Sequence, residues 1–148
     1  MRKKVFKAAL GFCLLAMVTA ATAFAQGLAE PSLRATIPFD FTVRGKALPA
    51  GDYVIKRFTD DSPNLLIISN VKDHEHAVFE TENVQVEAIP KKGEIVFHRY
   101  GESYFLSEVF AGGQEMGREL PPSRQERRLR REMASNRTEP ETVALAAY

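Results

Sequence analysis

The chain has very little cysteine and no tryptophan, and both scarcities narrow its chemistry. Its one cysteine, Cys13, lies in an N-terminal apolar run that we expect to be removed during export. The mature chain would then have neither disulfides nor cysteine chemistry. It also has no GxSxG motif and no serine whose sequence neighbours indicate a general base. We therefore expect no catalytic activity, and the lack of tryptophan argues against sugar stacking.

Residues 1–25 have the pattern of a secretory signal peptide. Four basic residues precede an apolar run over residues 8–23, and Ala23-Phe24-Ala25 supplies the small residues of a cleavage site. The run is too short for a membrane span, which takes about 20 apolar residues. The sequence therefore predicts an exported protein, periplasmic or secreted, without a transmembrane span in the mature chain.

Charge is divided unevenly along the chain. The formal net charge is +1, and removal of the four basic residues of the signal peptide would bring it to −3. Residues 26–117 carry the excess of acidic side chains, whereas residues 118–148 carry seven arginines and five glutamates. Such an asymmetry is typical of an interaction surface, and a solvated basic helix would give the same counts.

From residue 36 to residue 110, apolar and polar residues alternate in segments that are separated by turn signals. Residues 36–44 ("TIPFDFTVR") predict a half-buried strand that lies at a sheet edge or starts near Pro38, and the RGK and PAG segments predict two successive chain reversals. Further along, Gly101 and Glu102 predict a two-residue hairpin loop of type II′. Repeated short strands of this kind favour an antiparallel sheet protein.

Two further details of the pattern predict local features. The apolar run over residues 65–68 is typical of a fully buried strand. The apolar parity shifts between Phe79 and Val84, which predicts a β-bulge near Glu82 or Asn83.

The C-terminal part reads as a helix followed by a tail. Ser123 and Glu126 form a capping box, in which each side chain satisfies the backbone N–H of the other, so we expect a helix over residues 124–134. The fold class is therefore predicted as all-β, an antiparallel β-sandwich or partly open barrel over residues 26–117. A short C-terminal basic helix and a flexible tail would follow over residues 118–148.

Two segments carry a family resemblance. "IPFDFTVRGKALPAGDYVI" and "YFLSEVFAGGQEMGRELPPSRQERRL" together resemble a family of short exported proteins of unknown function from soil bacteria. The shorter "LPAGDYVI" is similar to the strand entry of transthyretin-like and immunoglobulin-like sandwich modules. The resemblance implies a β-rich exported domain with a basic end, and it implies no activity.

Histidines near one predicted strand offer metal ligands. His74, His76 and Glu80 have the same parity, so two imidazoles and a carboxylate could point to one side. His98, on a later predicted strand, would join them if the two strands are neighbours. Such ligands with an open position would suit Zn²⁺ or another divalent cation. Exposed histidines without a ligand are the alternative, because the apolar residues of this strand lie on the opposite face.

Arginine dominates the predicted helix, at Arg124, Arg127, Arg128, Arg130 and Arg131. Guanidinium groups bind phosphates and carboxylates through paired hydrogen bonds. Since export is expected, nucleic acid is not an expected partner, whereas an envelope protein or an anionic envelope polymer is. The alternative is that Glu119, Glu126 and Glu132 pair with some of these arginines, while the solvated helix rests against the acidic body of the protein.

These features predict a non-catalytic binding or structural module of the bacterial cell envelope. Its contact surfaces would be the arginine-rich helix and a sheet edge, and it would need no cofactor. The competing hypothesis is a small metal-binding protein or metal-dependent enzyme that uses the histidine cluster with a divalent cation such as Zn²⁺.

Overall fold

The computed structural model describes residues 32–148, which form eleven strands and one helix. The strands are β1 (Leu33–Ile37), β2 (Phe41–Val43), β3 (Lys46–Leu48), β4 (Gly51–Arg57), β5 (Leu65–Asn70), β6 (His76–Glu80), β7 (Glu82–Gln85), β8 (Gly93–Tyr100), β9 (Ser103–Phe110), β10 (Met116–Glu119) and β11 (Glu141–Ala147). The helix, α1 (Arg124–Ser135), lies between β10 and β11 in the chain. The predicted signal peptide, residues 1–25 with Cys13, lies outside the described residues.

The strands form two sheets. The first has the order β1-β4-β5-β6, and the second has the order β11-β8-β9-β10-β7, with β2 joined to β9 and β3 joined to β2. Pairing among these strands is antiparallel except between β2 and β9, which run parallel where Thr42 lies opposite Phe105. The prediction of an all-β fold with a short C-terminal helix is confirmed.

The two sheets share one hydrophobic core. Ile37 and Tyr53 come from the first sheet and Phe97 and Leu106 from the second, and all four are buried in one cluster. Phe41 of the second sheet meets Tyr53 of the first edge to face, with ring centroids 5.1 Å apart. Alternating strands that bury one face each therefore pack as a sandwich. No helix within residues 32–148 has the length and apolar character needed to cross a membrane.

The strand predicted over residues 36–44 is interrupted. The chain leaves the first sheet after Ile37 and enters the second at Phe41, because Pro38 cannot donate a ladder hydrogen bond. The segment expected to form one strand, at a sheet edge or from near Pro38, is divided at Pro38 between the edge strand β1 and the new strand β2, and the alternating burial of its residues is as expected.

The crowded turns after β2 form two corners. Arg44 (φ 51°) and Gly45 (φ 94°) both have positive φ, as a tight hairpin between β2 and β3 requires. The PAG corner then returns the chain to the first sheet, and Asp40 Oδ1 accepts a hydrogen bond from Ala50 N at 2.8 Å. These two closely spaced turns therefore return the chain from the second sheet to the first.

The parity shift after Phe79 has a different cause from the one expected. Thr81 lies between β6 of the first sheet and β7 of the second, and its backbone N–H and its hydroxyl both donate to Asn64 O. The prediction of a β-bulge near Glu82 or Asn83 is therefore wrong, since the strand changes sheets there. A register shift does occur between β8 and β9, beside residues 96–97.

Two other strand predictions have opposite outcomes. The Gly101 hairpin is confirmed, because Gly101 has φ 62° and Tyr100 lies opposite Ser103. Along residues 65–68, buried positions alternate with half-buried ones, so the prediction of full burial is wrong.

The prediction of a flexible tail is also wrong. β11 pairs antiparallel with β8 along its whole length, and Ala147 is buried. Backbone N–H groups of Arg34 and Tyr148 donate to each other's carbonyl oxygens at 2.8 and 3.0 Å, which links the first sheet to the end of β11. The last strand of the chain is therefore part of the sandwich.

Candidate functional site

The predicted metal ligands are not brought together. His74 lies in the loop before β6 with φ 57°, while His76 and Glu80 are exposed on β6 of the first sheet. His98 lies on β8 of the second sheet, where its partners are other side chains. Within residues 32–148, no group of three or more His, Cys, Asp or Glu side chains could hold a metal ion.

A hydrogen-bonded relay instead joins the second sheet to α1. His98 Nδ1 lies 3.1 Å from Glu126 Oε1, and His98 Nε2 lies 3.3 Å from Ser107 Oγ. Tyr100, two residues further along β8, donates its hydroxyl to the same Glu126 oxygen at 3.4 Å. Glu126 is only 5 % exposed, so the relay is centred on a buried carboxylate.

Local structure explains why these side chains meet. Ser107 is the extra residue of β9 between the pairs Phe97–Leu106 and Val96–Glu108, and such a bulge re-aims the side chain it carries. No sequence pattern places Ser107 beside His98, because the register shift that turns it there is a property of the paired strands.

The capping box is only half formed. α1 begins at Arg124 as predicted, and Ser123 Oγ accepts a hydrogen bond from Glu126 N at 3.1 Å. The Glu126 carboxylate turns to His98 rather than back to the start of the helix, so that part of the prediction is wrong.

Burial raises the pKa of the Tyr100 hydroxyl, the nearby Glu126 carboxylate raises it further, and Arg130 opposes the shift.

Serine, histidine and carboxylate follow each other in the order of a hydrolytic triad. Ser107, however, is 3 % exposed, so its hydroxyl offers little access to a substrate. A buried carboxylate with two side-chain donors stabilises the contact between helix and sheet. The relay therefore holds α1 in place.

The five arginines of α1 all lie on the exposed surface. Arg128 Nε lies 3.2 Å from Glu132 Oε1, and no other α1 arginine forms a salt bridge within the described part of the chain. Arg127 Nη1 donates to Pro122 O at 2.6 Å, which holds its guanidinium near the start of the helix. Of the three glutamates expected to pair with some of these arginines, Glu132 does so, whereas Glu126 bonds His98 and Tyr100, and Glu119 forms no salt bridge among the described residues.

A cavity of about 420 Å³ lies beside the start of α1. Its basic side chains are Arg44, Arg124 and Arg127, and Ser123 and Gln125 add polar atoms. We call this the arginine cavity. No carboxylate lines it among the described residues.

Arg44 comes from the β2–β3 hairpin, and its Nη1 donates to Pro121 O at 2.8 Å. This bond ties the hairpin to the segment that leads into the helix. The only sequence pattern that includes Arg44 is the RGK turn, and no pattern links this turn to a helix so far along the chain.

No family model, curated protein or solved structure matches this chain. The resemblance to short exported soil-bacterial proteins and the expected export both stay predictions.

Proposed function

We propose that this chain is an exported, non-catalytic binding module of the bacterial cell envelope whose arginine cavity binds anionic groups of a partner. The observation that supports the proposal is the convergence of Arg44, Arg124 and Arg127, from two distant segments, on one concave surface. Three cations gathered without a lining carboxylate repel one another, and a bound anion removes that repulsion.

The relay beneath the helix supports this role. Glu126 fixes α1 against β8, so the helical arginines keep their positions relative to Arg44 on the hairpin. Two of the three guanidinium groups are already oriented by bonds to the carbonyls of Pro121 and Pro122. Binding then orders few additional side chains, which lowers its entropic cost.

The partner follows from the compartment and from guanidinium chemistry. Arginine binds phosphate and carboxylate groups in a bidentate manner, and an exported protein meets both on envelope polymers and on acidic envelope proteins. Arg128, Arg130 and Arg131 extend the positive surface along the helix. Because exposed charges are screened by salt, binding should weaken as ionic strength rises.

An edge of the first sheet is a second contact surface in this proposal. β6 ends the sheet order, and His76, Val78 and Glu80 on it are exposed. An extended segment of a partner protein can add to such an edge through backbone hydrogen bonds. The alternative of a metal-binding function gains no support, because His98 lies in the other sheet and bonds Glu126.

Binding of the mature protein to purified lipopolysaccharide, at low and at high salt, tests the arginine cavity. The triple variant Arg44→Gln, Arg124→Gln and Arg127→Gln should weaken binding about tenfold or more, since a tenfold change corresponds to only about 1.4 kcal/mol. A control with the same loss of charge, Arg34→Gln, Lys91→Gln and Lys92→Gln, alters exposed residues outside the cavity.

The control should stay within about twofold of the unaltered protein, because screened distant charges contribute little. Equal losses in the two triple variants would mean that net charge alone drives binding, and unchanged binding in the first would rule out the cavity. Either result overturns the proposal, provided that both variants unfold at the same temperature as the unaltered protein.

A further inference from the structure

One end of the sandwich is open between its two sheets. A cavity of about 420 Å³ lies there, between the ends of β4 and β5 on one side and of β9 and β10 on the other. Its apolar lining comes from both sheets, and includes Leu33, Ile55, Leu66, Val109 and Met116. We call it the interlayer cleft. It shares no lining residue with the arginine cavity.

The floor of the cleft is the hydrophobic core itself. Ile55, Leu66 and Val109 belong to the buried cluster, and Met116 at the entrance is 51 % exposed. Apolar surface that lines an open cavity is stabilised when an apolar ligand replaces water there. The volume lies within the range of about 300–1,000 Å³ that is common for small-molecule sites.

The rim of the cleft is basic. Lys56 and Arg57 lie at the end of β4, and Arg118 lies on β10. Arg57 follows Ile55 at strand period two, and Arg118 follows Met116 in the same way, so both arginines lie on the side that faces the other sheet. Cations are thus placed directly above an apolar floor.

The charge of this rim is not neutralised by the described residues. Arg118 Nη1 donates to Asn64 Oδ1 at 2.6 Å and also contacts Asn83 Oδ1, but both partners are neutral amides. Within residues 32–148 no salt bridge involves Lys56, Arg57 or Arg118, and no Asp or Glu lines the cleft.

We propose that the interlayer cleft binds a free aliphatic carboxylate, with the alkyl chain between the sheets and the carboxylate at the basic rim. The apolar floor selects the chain and the unneutralised cations select the negative head group. A neutral or cationic amphiphile lacks the second contact. This site is separate from the arginine cavity, so the proposal goes beyond the proposed function and stands independently of it.

Calorimetric titration with dodecanoate, dodecanol and dodecyltrimethylammonium tests the ligand class, with the alcohol below its solubility limit and the two ionic amphiphiles below their micellar concentrations. Dodecanoate should bind at one molecule per chain, at least about tenfold more tightly than the alcohol, since charge-assisted hydrogen bonds contribute about 1.5–3 kcal/mol. Equal binding of the three amphiphiles would show that the rim has no role and would overturn the proposal.

Two matched tryptophan variants test the place of binding. Met116→Trp should fill the entrance and abolish dodecanoate binding, whereas Ile89→Trp, at an equally exposed residue outside the cleft, should leave it unchanged. Arg57→Gln tests the rim without adding volume and should weaken dodecanoate about tenfold while leaving dodecanol unaffected. Retention of dodecanoate binding in both Met116→Trp and Arg57→Gln would overturn the assignment.

A third arm separates a free carboxylate from a lipid surface. Vesicles of phosphatidylglycerol carry the same combination of alkyl chain and anion, but in a bilayer. Binding to vesicles without binding to monomeric dodecanoate would overturn the proposal in favour of a membrane contact. The triple variant of the arginine cavity should bind dodecanoate normally, which distinguishes failure of this site from failure of the other.

Discussion

Helix and sheet meet at Glu126, where one buried carboxylate oxygen lies within hydrogen-bond reach of His98 and Tyr100. Sequence alone assigns this glutamate to the cap of its own helix. A buried carboxylate that can bond two side chains of β8 gains more from them than from one backbone N–H, because a buried charge is costly unless several partners satisfy it. The bond that forms is therefore decided by tertiary packing.

Removal of this carboxylate should detach α1. Glu126→Ala leaves His98 and Tyr100 without their acceptor, and the free energy of unfolding should fall by about 2–3 kcal/mol in urea titration. Glu132→Ala on the same helix removes only an exposed ion pair with Arg128 and should cost about 0.5 kcal/mol or less. Similar losses in the two variants would contradict the role assigned to Glu126.

Glu108 is a second residue whose surroundings in the fold change its chemistry. Burial raises its pKa, and Glu119, its cross-strand neighbour, and Glu94 raise it further, while His98 opposes the shift. A raised carboxyl pKa means that the folded state favours the protonated form. The contribution of Glu108 to the free energy of unfolding is therefore fully present below the usual pKa of a glutamate. It is lost as the pH rises through the raised pKa of Glu108.

Glu108→Gln should remove this pH dependence. At pH 7 the variant should be more stable than the unaltered protein by about 0.5 kcal/mol, because like charges directly opposite each other in a sheet are destabilising. The difference should vanish as the pH falls well below the usual pKa of a glutamate, where Glu108 is protonated in both states. Thermal unfolding measured across this pH range gives the answer, with the exposed Glu87→Gln as control. A variant that loses stability at pH 7 would refute the assignment.

Among the elements, β11 shows how a strand is missed. Val143, Leu145 and Ala147 alternate at period two, but the segment is short, follows Pro140 and has no turn partner nearby. Its partner β8 lies more than forty residues earlier in the chain. The alternation in the sequence is therefore typical of a strand, but nothing in the sequence indicated the pairing with β8 that makes this strand stable.

Paired substitutions on β11 test its place in the sandwich. Leu145 packs against the core, so Leu145→Ala should lower the free energy of unfolding by about 1–2 kcal/mol, less than for a fully buried leucine. Thr142→Ala, at an exposed residue of the same strand, should change it by about 0.5 kcal/mol or less. If both variants have equal and negligible effects in urea titration, β11 does not contribute to the stability of the sandwich and the prediction of a flexible tail is correct.

At the scale of the molecule, the fold class followed from alternation, because an apolar sheet face must be covered by another layer and the sequence predicts only one short helix. What alternation could not supply is the sheet to which each strand belongs. Phe41 and Tyr53 look alike in the sequence, yet they approach the core from opposite sheets. The relay of Ser107, His98 and Glu126 and both cavities depend on that assignment, and so they became visible only in three dimensions.

The chain changes sheets at residues 38–40, at residues 49–50 and at Thr81, so neither sheet is a continuous stretch of sequence. Suppose a protease nicks the exposed loop around Asp61. The N-terminal fragment would contain β1 and β4 of the first sheet and β2 and β3 of the second. The C-terminal fragment would contain the remaining strands of both sheets. Two such pieces are interleaved, and a cleaved molecule should migrate as one particle until a denaturant separates its halves.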